Sequence, residues 1–199
     1  MRLHGNRRRV MEQNKIYNLG DYTFTHDDFL LLDTNVWLYL FPAPASPFSH
    51  LAALYTPVLE NILNAKATLM LESLVLVEYI NRYCRIEHRA CVEAGGTRLK
   101  DFKCFRTSSE FLPVGTAAVE SAKEIITLCR TDGVQHPLSK YSLDELFAGV
   151  SNGSYDFVDA LLVKTCRLNG WKMVSHDVDI THGGIHVLTL NRKLISKAK

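Results

Sequence analysis

Four acidic side chains stand at positions where a merely solvated charge is unusual. Asp33 and Asp177 each follow a short apolar run of the kind that forms a buried strand. Glu78 and Asp159 interrupt apolar stretches of two predicted helices. Buried carboxylates repel one another and lose hydration, so a cluster of them needs protons or cations. Together these acids predict a site for a divalent metal ion.

Each acid taken alone has a simpler interpretation. Asp33 could cap the helix that follows it, and Glu78 could form an ion pair with Arg82 one helical turn later. Asp159, or its neighbour Asp156, could stabilise the amino end of a helix. The order of the four acids favours a shared site: strand-end Asp, helical Glu, helix-start Asp and strand-end Asp.

Alternating strands and helices must position these acids. The pattern predicts strands near 29–33, 68–71, 171–175 and 185–190, and helices near 36–41, 49–65, 73–83, 115–130, 142–150 and 155–168. Such alternation is typical of an α/β fold with a mostly parallel sheet. Ligands of parallel sheets bind at the carboxyl ends of the strands, where Asp33 and Asp177 are expected.

The 199 residues suit one domain with additions. We expect the domain over residues 29–199, preceded by a partly flexible arm over 1–28. A turn-rich, basic stretch around 92–113 indicates an insertion. Its cations either contact nucleic acid or form a solvated face, and they are Arg98, Lys100, Lys103 and Arg106.

Composition excludes several classes of protein. With 47% hydrophobic and 22% charged residues, the chain does not have the composition of a disordered protein. A net charge of +2 does not by itself indicate a nucleic-acid partner. No apolar run is long enough to span a membrane. The five scattered cysteines and the lack of a secretory segment favour a reducing, cytoplasmic location.

One predicted helix carries residues that could form a second metal site. Cys84, His88 and Cys91 occupy positions i, i+4 and i+7, and Cys104 could lie near them. This arrangement could bind zinc, but its spacing is unlike that of the common zinc motifs, and cysteines are often buried as small hydrophobic residues. Burial is the favoured interpretation.

Four segments carry a resemblance to a known family. They are LLLDTNVWLYL, LESLVLVEYINR, YDFVDALLVKTCRLNGWKMVSHDVDI and IHVLTL. In order and spacing they resemble the motifs of PIN-domain proteins, especially the VapC-like toxins of bacterial toxin–antitoxin pairs, from about Leu30 to Leu190. The resemblance implies a three-layer α/β/α fold around a central, mostly parallel sheet.

The resemblance also implies roles for individual residues. The catalytic acids would be Asp33, Glu78, Asp159 and Asp177, which with the accessory Asp179 would hold Mg²⁺ or Mn²⁺. From their residue types alone, Asn35 is expected to orient Asp33 or its loop by hydrogen bonding, and Ser175 to orient a ligand or a phosphate, although either could be only a turn residue. His176 is expected to face away from the site, because neighbouring residues of a strand point to opposite faces.

The implied activity is metal-dependent endonucleolytic hydrolysis of RNA phosphodiester bonds by the toxin of a toxin–antitoxin pair. The expected partners are RNA, an antitoxin protein and a second copy of the chain. The alternative is a PIN-like module that binds RNA or a partner without cleavage. A haloacid-dehalogenase-like phosphatase also begins with a strand-end Asp, but it needs a second Asp where this chain has Asn35.

Overall fold

The computed structural model describes residues 12–95, 97–140, 147, 150 and 156–197. The strands are β1 (Lys15–Asn18), β2 (Phe29–Leu32), β3 (Thr68–Met70), β4 (Lys172–Val174) and β5 (His186–Thr189). The helices are α1 (Thr34–Leu40), α2 (Ser49–Asn64), α3 (Ser73–Glu93), α4 (Phe102–Arg106), α5 (Phe111–Leu128), α6 (Phe157–Asn169) and α7 (Arg192–Lys197). Most of the helix predicted over 142–150 lies outside the described residues. Residues 1–11, which include three consecutive arginines at positions 7–9, also lie outside the described residues.

The five strands form one sheet in the order β1-β5-β4-β2-β3, and every pairing in it is parallel. Helices flank the sheet: α6 packs on β4, and α7 packs on β1 and β5. The predicted α/β/α class is confirmed. No helix within the described ranges combines the length and the apolar character needed to cross a membrane.

Strand β2 lies inside the sheet. Leu30, Leu31 and Leu32 are at most 1% exposed, because strands flank β2 on both sides and neither of its faces meets solvent. The chain leaves β2 for β3 on one side and later returns to β4 on the other. Ligands commonly bind at such a reversal of strand order. The backbone N–H of Asp33 donates to the carbonyl of Val174 at 2.9 Å, so the ends of β2 and β4 lie side by side.

The predicted boundary at residue 29 is wrong. Strand β1 pairs with β5 from Lys15 opposite His186 to Asn18 opposite Thr189, so these residues belong to the domain. The strand lies at the edge of the sheet, and most of its side chains are exposed. An exposed edge strand needs no apolar run, which explains why no strand was recognised there.

The stretch around 92–113 is not a loop. Helix α3 continues to Glu93, and the short α4 and the start of α5 follow within the stretch. Leu99 and Phe105 are buried at 8% and 1% exposure. The basic residues suggested a solvated insertion, whereas the apolar residues between them pack this segment against α3.

The loop between β4 and β5 is held by the residues around β1. The Asn14 side chain donates to the carbonyl of Ile180 at 3.2 Å and accepts from the N–H of Ile185 at 3.1 Å. Gly183 lies between them with φ of 130°, and a Cβ there would overlap Val163 of α6. Val163 is one turn from Asp159, so the loop packs tightly beside a predicted site residue.

We predict that Gly183→Ala lowers the free energy of unfolding by about 3 kcal/mol. Backbone strain at positive φ costs about 1–3 kcal/mol, and overpacking against Val163 adds a similar amount. Gly133→Ala is the matched control, since Gly133 also has a positive φ of 75° but no atom lies within 4 Å of an added Cβ. It should cost about 1 kcal/mol. Urea denaturation measures both, and equal costs would contradict the close approach.

Candidate active site

Asp33 is oriented by three neutral donors. It caps α1, and its Oδ1 accepts from the N–H of Thr34 at 2.7 Å. Its Oδ2 accepts from Asn35 Nδ2 and from Ser175 Oγ, both at 2.6 Å. The residue is only 5% exposed. These contacts fix the direction of the carboxylate without cancelling its charge.

Ser175 and Asn35 connect the ends of the two strands. Ser175 Oγ donates to Asp33 and accepts from the N–H of Asp177 at 3.0 Å. Asn35 Oδ1 accepts from the N–H of His176 at 3.1 Å. The two side chains therefore hold Asp33 and the backbone that follows β4.

Glu78 reaches the same region from α3. Its Oε2 accepts from Thr34 Oγ1 at 2.9 Å, and its Oε1 forms an ion pair with Arg82 at 3.2 Å. Glu78 therefore forms both the local ion pair with Arg82 and a hydrogen bond with Thr34, the residue that follows Asp33. Thr34 was not identified from the sequence, although a buried hydroxyl directly after a strand-end acid is a usable signal.

Asp159 lies in the first turn of α6, but it does not cap that helix. Asp156 is the cap, and it accepts from the N–H of Val158 at 2.7 Å. The carboxylate of Asp159 forms no hydrogen bond with any residue in the described part of the chain. No described residue therefore competes with a cation or a substrate for a hydrogen bond to its oxygens.

The four acids act on one another. Burial, with repulsion from Glu78 and Asp177, raises the pKa of Asp33 to about 6, against the opposing effect of the Ser175 hydrogen bond. Burial raises the pKa of Asp159 to about 7, and repulsion from the other three acids adds to it. The structure thus brings Asp33, Glu78, Asp159 and Asp177 into one electrostatic cluster.

The cluster suits a hydrated cation better than a closed metal cage. Among the described residues, no three His, Cys, Asp or Glu side chains are arranged to hold a metal ion by themselves. Mg²⁺ commonly keeps several waters and takes only one or two carboxylates. One buried carboxylate, oriented by neutral donors and repelled by three partly buried ones, fits such an ion. Asp33 and Asp159 are the central candidates, with Glu78 and Asp177 beside them.

Asp179 is not drawn into this cluster. Its side chain is 73% exposed and lies 3.6 Å from Lys197 Nζ. Its backbone N–H donates to Asp177 Oδ1 at 2.8 Å. Asp179 therefore contributes to the loop that holds Asp177, and its own carboxylate faces a lysine.

The basic residues of the 92–113 stretch also lie apart from the acids. All four are exposed, and Arg98 pairs with Glu110 at 3.0 Å. Their segment contacts α3 near His88, ten residues after Glu78. Ten residues of helix span roughly 15 Å. Any contact of these cations with a substrate would be remote from the acids.

The zinc interpretation is wrong. His88 Nε2 lies 2.7 Å from the carbonyl of Leu99, to which it must donate, and its ring packs against Phe102 and Phe105. No metal-binding cluster of His, Cys, Asp or Glu forms within the described ranges. Cys84 is buried in the hydrophobic core, as expected of a small apolar residue.

A pocket of about 270 Å³ opens beside the acids, and the sequence did not reveal it. Its lining includes Asn35, Tyr39, Arg82, His176, Asp177 and Asn191. His176 was expected to face away from the site, because the alternation of side chains along strand β4 was assumed to continue to this residue. Strand β4 ends at Val174, so the alternation does not apply to His176. Burial lowers the pKa of this histidine.

Comparisons with known proteins bear on the family of this chain. The PIN domain model matches residues 30–185. The crystal structure of PAE2754 from Pyrobaculum aerophilum is similar at 16% identity and a TM-score of 0.41, over 85% of this chain and 94% of that one. A search of curated protein sequences gave no match. Because the family match spans most of the chain and contains all four clustered acids, this protein belongs to the PIN domain family, whose members are generally metal-dependent nucleases.

Proposed function

We propose that this protein is a Mg²⁺- or Mn²⁺-dependent endoribonuclease. The observation that carries the proposal is the cluster of Asp33, Glu78, Asp159 and Asp177, in which burial and mutual repulsion raise the pKa of two members. A cluster of this kind disfavours its own full ionisation, and a cation relieves it. In metal-dependent phosphodiester hydrolysis, a cation at this place would neutralise phosphate charge and make a bound water more acidic.

The proposed reaction is hydrolysis of an internal phosphodiester bond. A water adds to phosphorus while the bond to the 3′ oxygen breaks, which leaves a 3′-hydroxyl and a 5′-phosphate. When bound, a divalent ion supplies a more acidic water and neutralises phosphate charge. Asp33 and Asp159 would hold it, with Glu78 and Asp177 directly or through water.

The remaining groups prepare the acids. Ser175, Asn35 and the Thr34 N–H hold Asp33 in one orientation, so little reorganisation is needed when a cation arrives. The Thr34 hydroxyl holds Glu78. Asp159 has no such anchor in the described chain and can adjust to the ion.

A biological role as the toxin of a toxin–antitoxin pair is part of this proposal. It is supported by the resemblance of the four sequence segments to VapC-like toxins. The corresponding partners are RNA, an antitoxin whose peptide covers the acidic site and a second copy of the chain. The rival role is an RNA-binding or partner-binding module without cleavage, which would bind RNA but leave it intact.

Removing one clustered charge should abolish cleavage. We expect Asp33→Asn, Asp159→Asn and Asp177→Asn each to reduce metal-dependent cleavage of a labelled RNA pool more than about 100-fold, since loss of even an outer partner of a metal ligand costs about 10–100-fold. Glu78→Gln should be nearly as severe. Asp179→Asn is the matched control, because its carboxylate faces Lys197, and it should lose much less activity.

Chelation should silence the wild type, and added Mn²⁺ should restore it. Cleavage that persists in chelator, or undiminished activity of Asp159→Asn, would overturn the mechanism. Circular dichroism checks that each variant is folded, which matters most for Asp33→Asn because an amide cannot accept from all three of its donors.

The cluster also predicts a pH dependence of stability. The pKa of Asp159 is about 7 in the folded protein and about 4 in an unfolded chain. Between these values the folded state holds a proton that the unfolded state has released, so stability falls as pH rises through this window. Without metal, Asp159→Asn should therefore raise the melting temperature by a few degrees at about pH 8, and this gain should vanish near pH 4.

A comparison of two free energies favours a net gain in the stability of Asp159→Asn at pH 8. The α6 dipole stabilises the Asp159 charge by about 0.3–1 kcal/mol, whereas burial and repulsion cost on the order of 1–2 kcal/mol after discounting for partial solvent exposure. Asp179→Asn should show no such gain. A lower melting temperature for Asp159→Asn at pH 8 would show that the acid is stabilised rather than strained.

The exposed basic residues generate a separate prediction. Replacing Arg98, Lys100, Lys103 and Arg106 together by Ala should weaken RNA binding and flatten its salt dependence, by about 0.7 in the log–log slope for each phosphate that is no longer neutralised. The melting temperature should change little, because their one ion pair, Arg98–Glu110, is exposed. Unchanged RNA binding and salt slope would identify these residues as a solvated face.

A further inference from the structure

The guanidinium of Arg82 lies in the lining of the pocket beside the acids. Its side chain is 48% exposed, and its Nη1 donates to Glu78 at 3.2 Å. A guanidinium has five N–H donors, and no other donor of Arg82 has a hydrogen bond within the described chain. Exposed ion pairs one helical turn apart stabilise a protein only weakly. Arg82 can therefore bind a second anion at little cost.

His176 is a second residue of the pocket lining that can donate a hydrogen bond, and its ring contacts Tyr55. Tyr55 is fully buried, and its hydroxyl oxygen lies 2.8 Å from Nδ1 of His176. In this hydrogen bond the phenol is assigned as the donor, because a neutral imidazole nitrogen is a better acceptor than a phenol oxygen. A histidine that accepts at Nδ1 carries its proton on Nε2. Tyr55 thus sets His176 as an Nε2–H donor.

His176 is also held in place. The backbone N–H of His176 donates to Asn35 Oδ1 at 3.1 Å, and its backbone carbonyl accepts from Asn191 Nδ2 at 2.6 Å. Its ring meets Tyr39 edge-on at 5.8 Å between centroids. Since Nδ1 faces the buried Tyr55, Nε2 on the opposite side of the ring faces the pocket. The donor is therefore fixed before any ligand binds.

We propose that this pocket is a nucleotide subsite for single-stranded RNA, in which Arg82 binds a backbone phosphate and His176 Nε2–H donates to the same nucleotide. The assignment of RNA rests on the proposed ribonuclease function. Asp177 belongs to both the acid cluster and the pocket lining. One phosphate of an RNA strand at the acids therefore places a neighbouring nucleotide in the pocket.

The dimensions and charge agree with one nucleotide. A volume of about 270 Å³ is just below the roughly 300–1,000 Å³ of pockets that hold drug-sized ligands. Arg82 offsets the repulsion that Asp177 and Glu78 exert on a phosphate. Tyr55 acts as a positioning residue, since it reaches the substrate only through His176.

The test measures RNA binding without cleavage. A fluorescein-labelled, single-stranded octanucleotide RNA pool is titrated by anisotropy in chelator, using the Asp159→Asn background, which lacks cleavage and one repelling charge. Arg82→Gln should weaken binding about tenfold and reduce the salt slope by about 0.7. Arg82→Lys should keep most of the slope. Arg89→Gln is the matched control, two turns further along α3 and outside the pocket lining, and should bind normally.

The role of Tyr55 has its own spectroscopic readout. Nitrogen NMR of the histidines should show a single Nε2–H tautomer for His176, and Tyr55→Phe should convert it to a mixture while weakening RNA binding about threefold. A merely structural tyrosine would change the melting temperature but not the tautomer. An Nδ1–H tautomer in the wild type would overturn the role of His176.

The outcomes separate the subsite from the catalytic proposal. Equal binding by Arg82→Gln and Arg89→Gln, or no RNA binding in the parent background, overturns the subsite even if the wild type cleaves RNA. If the Arg82 effect appears but the wild type cleaves nothing, the subsite stands and the protein is an RNA-binding module.

Discussion

The burial of Asp33 among three other carboxylates is the constraint on which the site depends. Asp33 is held by an amide, a hydroxyl and a backbone N–H rather than by a cation. Neutral donors orient a charge but neutralise it incompletely, so the pKa of Asp33 stays raised. This uncompensated charge favours a cation at the site.

The opposite end of β2 shows what a cation does to a similar residue. Asp28 precedes β2 and is 3% exposed. Burial alone would raise its pKa, but an ion pair with Lys172 and hydrogen bonds from Thr25 and Tyr22 lower it overall. Two buried aspartates, one at each end of the same strand, thus have opposite pKa shifts. Asp28 is neutralised within the fold, and Asp33 is left for an external partner.

Parallel pairing of the strands brings the side chains of the site together. Because β2 and β4 are adjacent and parallel, Asp33 and Ser175 end up beside each other although they are 142 residues apart in the chain. Hydrogen bonds from two asparagine side chains then hold the loop between β4 and β5. Asn191 binds the carbonyl of His176, and Asn14 binds the backbone at both ends of the 180–185 segment. The edge strand β1 and the chain after β5 therefore support a centre that they do not enter.

The sequence by itself determined the fold class and the elements that carry the four acids. Apolar runs such as Phe29–Leu32 depend on local periodicity, and they were readable because a central strand is apolar on both faces. Edge strand β1 was not readable, since its side chains stay in solvent. Helix α4 was obscured by its charges. Local patterns record how a segment is buried, so segments with little burial leave little signal.

Tertiary structure alone decided which side chains meet. Asp179 and Asp177 are two residues apart, yet one faces Lys197 and the other joins the cluster, because the loop after β4 follows no strand alternation. His176 enters the pocket for the same reason, and the hydroxyl of Tyr55 in α2, far away in the sequence, lies 2.8 Å from its Nδ1. Sequence spacing specifies direction only inside regular helices and strands. Beyond their ends, long-range hydrogen bonds and packing set where each side chain points.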